Sequence, residues 1–418
     1  MKRQIPAVLL LFLTLFVLPV PAQVQLTDSA KISLLTASPW HGAVYALFGH
    51  TAICVQDDST GVNAVFNYGY FDSSQPRFIY HFVRGETDYI LGVTSFEEFL
   101  SEYAYKGQLV IAQELNMTPD EKQQLYEALS VNALPENREY RYNYFYDNCA
   151  TRPRDMVEKY TDGELQYPPT PREQTYRDLV HEFVDGYPWL LFGIDLVIGN
   201  SADRPIDVRE KMFIPRYLMD SFDGAIVQRN DTLRPPLVQH REIVLEPDGE
   251  RNSPKAASLF SPLVAAFLLL LLTLFISLVQ MIKLNTTKLS LYYDTLLFGV
   301  AGLGGLVLFF MMFFSAHPAM NPNWNFVWLN LFALIAAFLF WVKSAKNVVY
   351  FYHFINFAVL TLFLLLGWLI PQKLPVATIP FSMSLWLRSG INLILWRKKR
   401  LKNRRFKSSK YFKAGWGQ

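Results

Sequence analysis

The sequence has only two cysteines, Cys54 and Cys149, in 418 residues. It has no paired-cysteine motif and no His-Glu-x-x-His segment, so no metal site is predicted. Neither a Gly-x-Ser-x-Gly segment nor a glycine-rich phosphate loop occurs, which excludes the usual signatures of serine hydrolases and nucleotide-binding enzymes. We therefore expect any chemistry to depend on side chains, without a cofactor.

Acidic residues are almost absent beyond residue 250, where Asp294 is the only one. Residues 23–255 contain 35 of the 36 acidic residues but only 21 of the 39 basic ones. The chain therefore joins an acidic globular half to a basic, apolar half, and its net charge of +3 is an average of the two. This distribution is not typical of a nucleic-acid-binding protein, and no nucleic acid is expected as a partner.

The N-terminus has the three parts of an export signal. Lys2 and Arg3 are basic, residues 7–20 are apolar, and Ala22 is a small residue at a plausible cleavage point. Because the apolar run is short for a membrane span, we expect residues 1–22 to be a cleaved signal peptide. An uncleaved anchor helix is the alternative.

Five apolar segments follow, each near the ~20 residues that a helix needs to cross a bilayer. Backbone polar groups cannot stay unpaired in lipid, so all five are expected to be helices. This predicts an all-α, five-helix transmembrane domain over residues 258–396. The segments are Leu259–Ile282, Tyr293–Phe314, Phe326–Val342, Tyr350–Ile370 and Ile379–Leu395.

Basic residues are unevenly distributed among the loops between these segments. The first and third loops contain lysines, and the tail of residues 397–418 contains ten Lys and Arg, whereas the second loop has none and the fourth has only Lys373. The positive-inside rule therefore predicts a cytoplasmic tail. It also predicts that the N-terminal half lies on the outer side of the membrane, as the export signal requires.

The exported half is expected to be α+β, with a catalytic domain over residues 23–200 and an extension and linker over residues 201–257. Three segments rich in β-branched and aromatic residues predict strands. They are Thr51–Gln56, Val62–Tyr70 and Leu109–Gln113.

Two helices of the exported half are indicated by their ends or their composition. Thr118-Pro119-Asp120-Glu121 is a capping box with proline at the first helical position, so a helix should run to about Asn132. Pro188–Ile198 is apolar but too short to span a bilayer. It is either a core helix, which we favour, or a helix lying on the membrane.

Cys149 lies in the environment that a nucleophilic thiol needs. Asn148 can cap a helix over Cys149–Tyr160, which places the thiol in the first turn. The helix dipole, Arg152 and Arg154 are all expected to favour the thiolate. The sequence therefore predicts that Cys149 is a nucleophile.

Cys54 differs, because it lies in an apolar strand where cysteine behaves as a small hydrophobic residue. Both cysteines are expected in an oxidising compartment, so a structural disulfide between Cys54 and Cys149 is the alternative to a reactive thiol.

A cysteine nucleophile usually needs a histidine base. Among the histidines of the exported half, His50 is the best placed, since a turn at Gly49 leads into its strand and allows another backbone or a substrate to come close. Asn67 on a neighbouring strand is the candidate for orienting the imidazole. A histidine that merely begins a strand is the alternative for His50.

The second membrane loop is rich in polar side chains. His317, Asn321 and Asn323 offer donors and acceptors that suit a lipid ester or head group, although proline and asparagine also form tight interfacial turns. Together with Asn148 and Arg152 beside the thiol, these three are candidate substrate-binding residues.

Five motifs in the exported half, taken in order, resemble the Lnb N-terminal periplasmic domain family. The membrane half, with His317-Pro318 and the two asparagines after it, looks like the C-terminal part of the same proteins. The motifs are Phe48-Gly49-His50-Thr51, Val65-Phe66-Asn67-Tyr68-Gly69, Phe82-Val83-Arg84-Gly85, Pro135-Glu136-Asn137-Arg138 and Asp147-Asn148-Cys149-Ala150-Thr151-Arg152.

Members of that family look like bacterial lipoprotein N-acyltransferases with a circularly permuted papain-like domain. The resemblance implies that Cys149 is the nucleophile and His50 its base. It also implies two substrates, a membrane phospholipid and a diacylated lipoprotein, with the acyl chain passing through a Cys149 thioester to the α-amine of the lipoprotein's N-terminal cysteine.

Two other functions stay open. Permuted papain-like folds also cut peptides, so a cell-wall peptidase or amidase is the enzymatic alternative, although that activity does not need five membrane helices. The non-enzymatic alternative is an envelope sensor or assembly protein with a Cys54–Cys149 disulfide.

Overall fold

The structure is a computed structural model, and it describes residues 24–230, 233–254 and 260–414, with side chains as far as residue 402. The expected signal peptide of residues 1–22 lies outside the described residues.

Eleven strands occur in the N-terminal domain, as the described residues 24–254 are called here. Seven of them form one antiparallel sheet with the spatial order 11-5-1-2-3-4-6, and the others form two small ribbons, 7 with 10 and 8 with 9. The strands are β1 (Lys31–Ala37), β2 (His50–Asp57), β3 (Val62–Tyr70), β4 (Asp88–Thr94), β5 (Val110–Leu115), β6 (Glu139–Arg141), β7 (Glu164–Gln166), β8 (Gln174–Thr175), β9 (Pro205–Ile206), β10 (Ile226–Gln228) and β11 (Val238–Leu245).

Eight α-helices accompany these strands in the described part of the N-terminal domain. They are α1 (Phe78–Arg84), α2 (Phe96–Lys106), α3 (Pro119–Asn132), α4 (Thr151–Tyr160), α5 (Tyr176–Val184), α6 (Pro188–Val197), α7 (Val208–Lys211) and α8 (Pro215–Asp223).

The local signals in the sequence were largely correct. The three predicted strands correspond to β2, β3 and β5, and the predicted capping box of α3 is present, with Thr118 Oγ1 accepting from the N–H of Glu121. The helix after Asn148 begins at Thr151, two residues later than expected. The delay arises because Asn148 Oδ1 accepts hydrogen bonds from the N–H groups of Ala150 and Thr151, so the chain turns before it becomes helical.

The two faces of the main sheet are covered by different helices. Residues such as Ile53 and Phe66 pack with Val157 of α4 and Leu125 of α3. The opposite face, with Cys54, packs against Phe99 and Tyr103 of α2. Because side chains alternate along a strand, β2 contributes to both cores, and His50 lies on the same face as Cys54.

Residues 201–257 do more than link the domain to the membrane. Leu218 and Phe222 of α8 belong to the main core, and β11 pairs with β5 at one edge of the sheet. The folded domain therefore extends at least to Leu245, well past the expected end at residue 200.

Five helical segments make up the described membrane half. Three of them are long and apolar enough to cross a membrane: Pro262–Lys283, Lys288–Phe314 and Lys343–Leu369. Trp324–Leu339 is apolar but shorter, and the last helix contains Arg388 and Asn392 within its apolar part. The α-helices are α9 (Pro262–Lys283), α10 (Lys288–Phe314), α11 (Phe332–Leu339), α12 (Lys346–Leu366) and α13 (Thr378–Ala414), so the predicted tail of residues 397–418 continues α13 as far as Ala414.

The N-terminal domain packs on one end of these membrane helices. The N–H of Ala316, two residues after α10, donates to the carbonyl oxygen of Arg84 at 2.7 Å. Between α12 and α13, Lys373 pairs with Asp178 at 2.6 Å. The apolar helix α6 lies at this junction, where its Trp189 donates to the carbonyl oxygen of Phe260 at 2.7 Å. α6 thus joins the two halves of the protein. Leu190, Leu191 and Ile194 pack against a core cluster of the N-terminal domain, as the core-helix interpretation expected, and Leu196 packs against the membrane helices.

Candidate active site

His50 and Asn67 contact each other at the end of the sheet that faces the membrane helices. Nε2 of His50 is 3.1 Å from Oδ1 of Asn67, and the imidazole is stacked on Tyr103 of α2, with 6.2 Å between ring centroids. A carbonyl oxygen only accepts hydrogen bonds, so Nε2 carries the proton and Nδ1 keeps its lone pair. Asn67 thereby selects the tautomer that leaves Nδ1 free to act as a base.

Cys149 reaches the same end of the sheet from the side of α4. Its sulfur accepts a hydrogen bond from the backbone N–H of Thr51, the residue after His50, and lies close to its own N–H. The ladder between β2 and β3 extends only as far as Ile53 and Phe66, so the N–H of Thr51 is not used by β3. The thiol therefore lies where the two strands separate.

Gly69 adjoins both of these side chains. A Cβ atom built on Gly69 lies 3.6 Å from Cβ of Cys149 and 3.9 Å from Cε1 of His50, and the backbone φ of +113° favours glycine. Cys149 and His50 thus flank one small space that a side chain at position 69 would fill. The sequence motif contained Gly69, but its spacing alone did not reveal this role.

The residues around Cys149 hold its backbone in place. Asn148 uses its whole amide: Oδ1 caps α4, and Nδ2 donates to the carbonyl oxygens of Tyr144 and Phe213. The guanidinium of Arg152 is bound by the carboxylate of Asp147 and lies 3.7 Å from the ring centre of Tyr140. The functional groups of Asn148 and Arg152 are thus engaged by protein partners, and their role in substrate binding stays a prediction.

The electrostatics of the thiol differ from what the sequence predicted. Burial raises the pKa of Cys149 to about 11, despite the N–H groups that stabilise its thiolate. Arg154 does not lower it, because its guanidinium is held by Asp155 and the carbonyl oxygen of Arg209. Burial also lowers the pKa of His50 to about 4. The expected thiolate is therefore wrong for this conformation, in which thiol and imidazole are both neutral at pH 7.

The alkylation rate of Cys149 should report this protonation state. In a Cys54→Ala protein we expect the rate with iodoacetamide to rise about tenfold per pH unit from pH 8 to 10, since only the thiolate reacts. A thiolate–imidazolium pair would instead give a rate that is flat across this range. Mass spectrometry of the Cys149 peptide measures the rate, and the Cys54→Ala, Cys149→Ala protein gives the background.

Both cysteines are free thiols. Cys54 is buried in the core between the sheet and α2, whereas Cys149 approaches from the side of α4. No disulfide joins them, which removes the structural observation that the sensor or assembly alternative required.

A small cleft lies between the N-terminal domain and the loop after α10. His317 donates from Nε2 to the carbonyl oxygen of Phe82 at 2.6 Å and stacks on Tyr144, with 5.3 Å between ring centroids. Tyr144 also accepts a hydrogen bond at its carbonyl oxygen from Nδ2 of Asn148 at 2.8 Å, so the lining is joined to the residue before Cys149. The cleft is lined by Phe82, Gly85, Thr87, Tyr89, Tyr142, Tyr144 and His317.

The two loop asparagines contact protein backbone. Asn321 donates to the carbonyl oxygen of Met312 at 2.8 Å, and Asn323 donates to that of Leu196 in α6 at 2.8 Å. Asn323 is buried, whereas Asn321 is exposed. The structure therefore places His317 against Phe82 and Tyr144 and uses Asn323 to join the loop to α6, and a substrate role for any of the three loop residues stays a prediction.

Within the described residues, no group of three or more His, Cys, Asp or Glu side chains is arranged to hold a metal ion. The site combines a partly buried thiol, a neutral imidazole with a free Nδ1, and backbone N–H groups directed at the sulfur. Such a set can transfer an acyl group through a thioester.

Two family descriptions match this chain, one for each half. Residues 22–182 match the Lnb N-terminal periplasmic domain, and residues 254–400 match the Lnb transmembrane domain. The chain belongs to the Lnb family. It is therefore an integral protein of the inner membrane with a periplasmic domain, as the motifs indicated, and membership suggests an envelope enzyme that modifies lipoproteins.

The curated proteins and the solved structures give no match to this chain. The chemistry of this Lnb protein therefore has to be argued from its own residues.

Proposed function

We propose that this Lnb protein is a lipoprotein N-acyltransferase that carries the acyl chain as a thioester on Cys149. The observation that carries the proposal is the meeting of Cys149, His50 and Asn67 at the end of the sheet that packs on the membrane helices. An acyl-transfer site in that position is next to lipid. A cell-wall hydrolase has no need of such a location.

In the first half-reaction, Nδ1 of His50 takes the proton of Cys149 as the sulfur attacks the ester carbonyl of a phospholipid. A concerted transfer fits the neutral pair, because the thiol is too weak an acid to ionise beforehand. The lysophospholipid alkoxide then leaves with the proton from His50, and the acyl chain stays on sulfur. The transition-state oxyanion needs donors, and the N–H groups of Thr51 and Cys149, which lie beside the sulfur, are the candidates for this role.

In the second half-reaction, the free α-amine of the lipoprotein's N-terminal cysteine attacks the thioester carbonyl. His50 accepts a proton from the amine and returns it to the Cys149 sulfur as the carbon–sulfur bond breaks. An amide and the free thiol result. Burial of the site favours the amine over water, since a thioester that water cannot reach is spared from hydrolysis.

The rest of the architecture follows from the same proposal. The N-terminal domain is taken as a permuted papain-like fold, because the histidine strand β2 precedes the cysteine helix α4 in the chain. The membrane half is taken as five spans, with Trp324–Leu339 as the third and α13 as the fifth. The periplasmic domain packs against the end where α13 begins, so the basic C-terminus of this long helix is assigned to the cytoplasm.

Mass spectrometry of a lipoprotein's N-terminal peptide tests the function. Peptides are compared from cells that make the wild-type, Cys149→Ala or Cys54→Ala protein. We expect the amide-linked acyl chain with wild type and with the matched Cys54→Ala control, and no such chain with Cys149→Ala. Peptides without the chain in wild-type cells would contradict N-acylation and direct attention to cell-wall cleavage, whereas acylation by Cys149→Ala would exclude Cys149 as the nucleophile.

A further inference from the structure

The short helix α1 exposes an unusually apolar face. Ile79 is 77% exposed, Tyr80 49% and Phe82 41%, and none of the helix's residues is buried. A surface helix of a water-soluble domain normally turns its large apolar side chains towards the core. The outward direction of these three residues indicates that something other than water covers them.

The location of α1 indicates that lipid covers this face. Its last turn is tied to the end of α10: Ser315 Oγ donates to the carbonyl oxygen of Val83 at 2.7 Å, and the N–H of Ala316 donates to that of Arg84 at 2.7 Å. α10 is long and apolar enough to cross a membrane, and it ends at Phe314. The end of a spanning helix marks the edge of the hydrocarbon layer, so α1 lies at that level.

The side chains of α1 match the chemistry of a membrane interface. Arg77 precedes the helix, and Arg84 ends it, while Tyr80 and Phe82 lie between them. Aromatic rings at head-group depth and cations near lipid phosphates are typical of helices that lie in this layer. The exposed Phe313 and Phe314 of α10 continue the same apolar surface.

The close fit of α1 to the membrane loop depends on Gly85. A Cβ atom at this position would lie 2.7 Å from the backbone nitrogen of His317, and the φ of Gly85 is +68°. Only glycine allows the two backbones to approach this closely without strain. The position of α1 relative to α10 is therefore built into the fold.

The cleft beside α1 leads towards Cys149. Phe82 of α1 lines it at the membrane side together with His317. Tyr144 also lines it, and its carbonyl oxygen accepts a hydrogen bond from Asn148, the residue before Cys149. β2 and β3 separate beyond Ile53 and Phe66, at the end of the sheet where Cys149 lies. An acyl chain coming from the bilayer would thus pass between α1 and the loop.

We propose that α1 is inserted in the periplasmic leaflet of the membrane and forms one side of the route by which a phospholipid acyl ester reaches Cys149. The insertion of α1 stands on its position and exposed face alone. The route rests on the proposed acyl transfer. The two parts are therefore tested separately.

Insertion is tested with an environment-sensitive fluorophore on a single cysteine in the full-length protein. Ile79→Cys is made in a Cys54→Ala, Cys149→Ala background and reconstituted in phosphatidylethanolamine–phosphatidylglycerol vesicles. We expect blue-shifted emission that nitroxide on lipid acyl chains quenches several-fold more strongly than aqueous iodide does. Because this protein has no catalytic cysteine, the result does not depend on whether N-acylation occurs.

Ser59→Cys in the same background is the matched control. Ser59 lies in the turn after β2, whose end at Asp57 is roughly 23 Å from His50 at the ~3.3 Å rise of each strand residue. We expect its label to be quenched by iodide and not by the lipid nitroxide. Equal iodide quenching at positions 79 and 59 would overturn the insertion of α1.

The route is tested by charge. We expect Ile79→Asp to slow N-acylation of a lipoprotein in vesicles at least several-fold, because the aspartate opposes insertion. Ile226→Asp is the matched control: Ile226 is also an exposed isoleucine, but β10 pairs with β7, which follows the far end of α4 from Cys149. If the wild-type protein is active in this assay and Ile79→Asp has the same rate, the proposed route is overturned.

Discussion

Replacing His50 by alanine is expected to slow acylation of Cys149 by about 10²–10⁴-fold, the usual contribution of a general base. The reason is the weak acidity of the thiol. With a pKa of about 11, almost none of Cys149 is thiolate at pH 7, so attack depends on a base that removes the proton of Cys149 during the reaction. The measurement is single-turnover formation of a hydroxylamine-sensitive acyl–protein from a labelled phospholipid in vesicles.

Two variants of Asn67 test, in the same assay, how much the orientation of the His50 imidazole contributes to the rate. Asn67→Ala removes the acceptor that holds Nε2–H of His50, so we expect a rate between those of wild type and His50→Ala. Asn67→Asp keeps an acceptor oxygen and should retain more activity than Asn67→Ala. A wild-type rate in His50→Ala would rule out His50 as the base, and a full loss only in Asn67→Ala would assign the chemistry to a different group.

The pH dependence of the wild-type rate follows from His50. Its pKa is lowered to about 4 by burial, so the base is neutral throughout the physiological range and becomes protonated only as the pH falls through about 4. We expect the acylation rate to be nearly constant from pH 6 to 8. A decline centred near pH 6.5 would mean that the imidazole is solvated when substrate binds.

Local signals in the sequence identified residues that the structure brings together around Cys149. The capping side chain of Asn148 and the strand that begins at His50 depend on neighbouring residues, which a sequence displays directly. Asn67 was identified through the strand beside β2, and it does contact His50. Short-range hydrogen-bonding patterns and strand order were thus enough to identify these candidate residues.

The features of the site that could not be predicted from the sequence depend on packing between residues far apart in the chain. The nearby arginines suggested a thiolate at Cys149, but burial by distant strands and helices has the larger effect on its pKa. The space beside Gly69 and the bond from Asn323 to α6 each join residues far apart in the chain. A polar loop residue that binds protein backbone has the same local sequence as one that binds a ligand.

The last membrane helix presents a second large expected effect. Arg388 of α13 is fully buried and binds both carboxylate oxygens of Asp294 in α10, as well as Ser277 and Gln280 of α9. Asn392 adds a hydrogen bond to the same carboxylate at 2.9 Å. One guanidinium thereby joins three membrane helices.

Arg388→Met is expected to lower the free energy of unfolding by about 3–5 kcal/mol, because it leaves the buried charge of Asp294 without its partner. Thermal unfolding of the detergent-solubilised protein measures the loss. Lys373→Met is the matched control, since it removes an ion pair with Asp178 that is largely exposed and is expected to contribute at most about 1 kcal/mol.

The double variant Arg388→Met, Asp294→Leu tests why Arg388→Met loses stability. If the loss in Arg388→Met comes from an unpaired buried carboxylate, removing that carboxylate should restore much of the stability, because apolar side chains of similar size pack well in its place. If the double variant is as unstable as the single one, the bonds to Ser277 and Gln280 hold the helices together independently of charge. An Arg388→Met protein as stable as wild type would mean that apolar packing alone fixes α13 against α9 and α10.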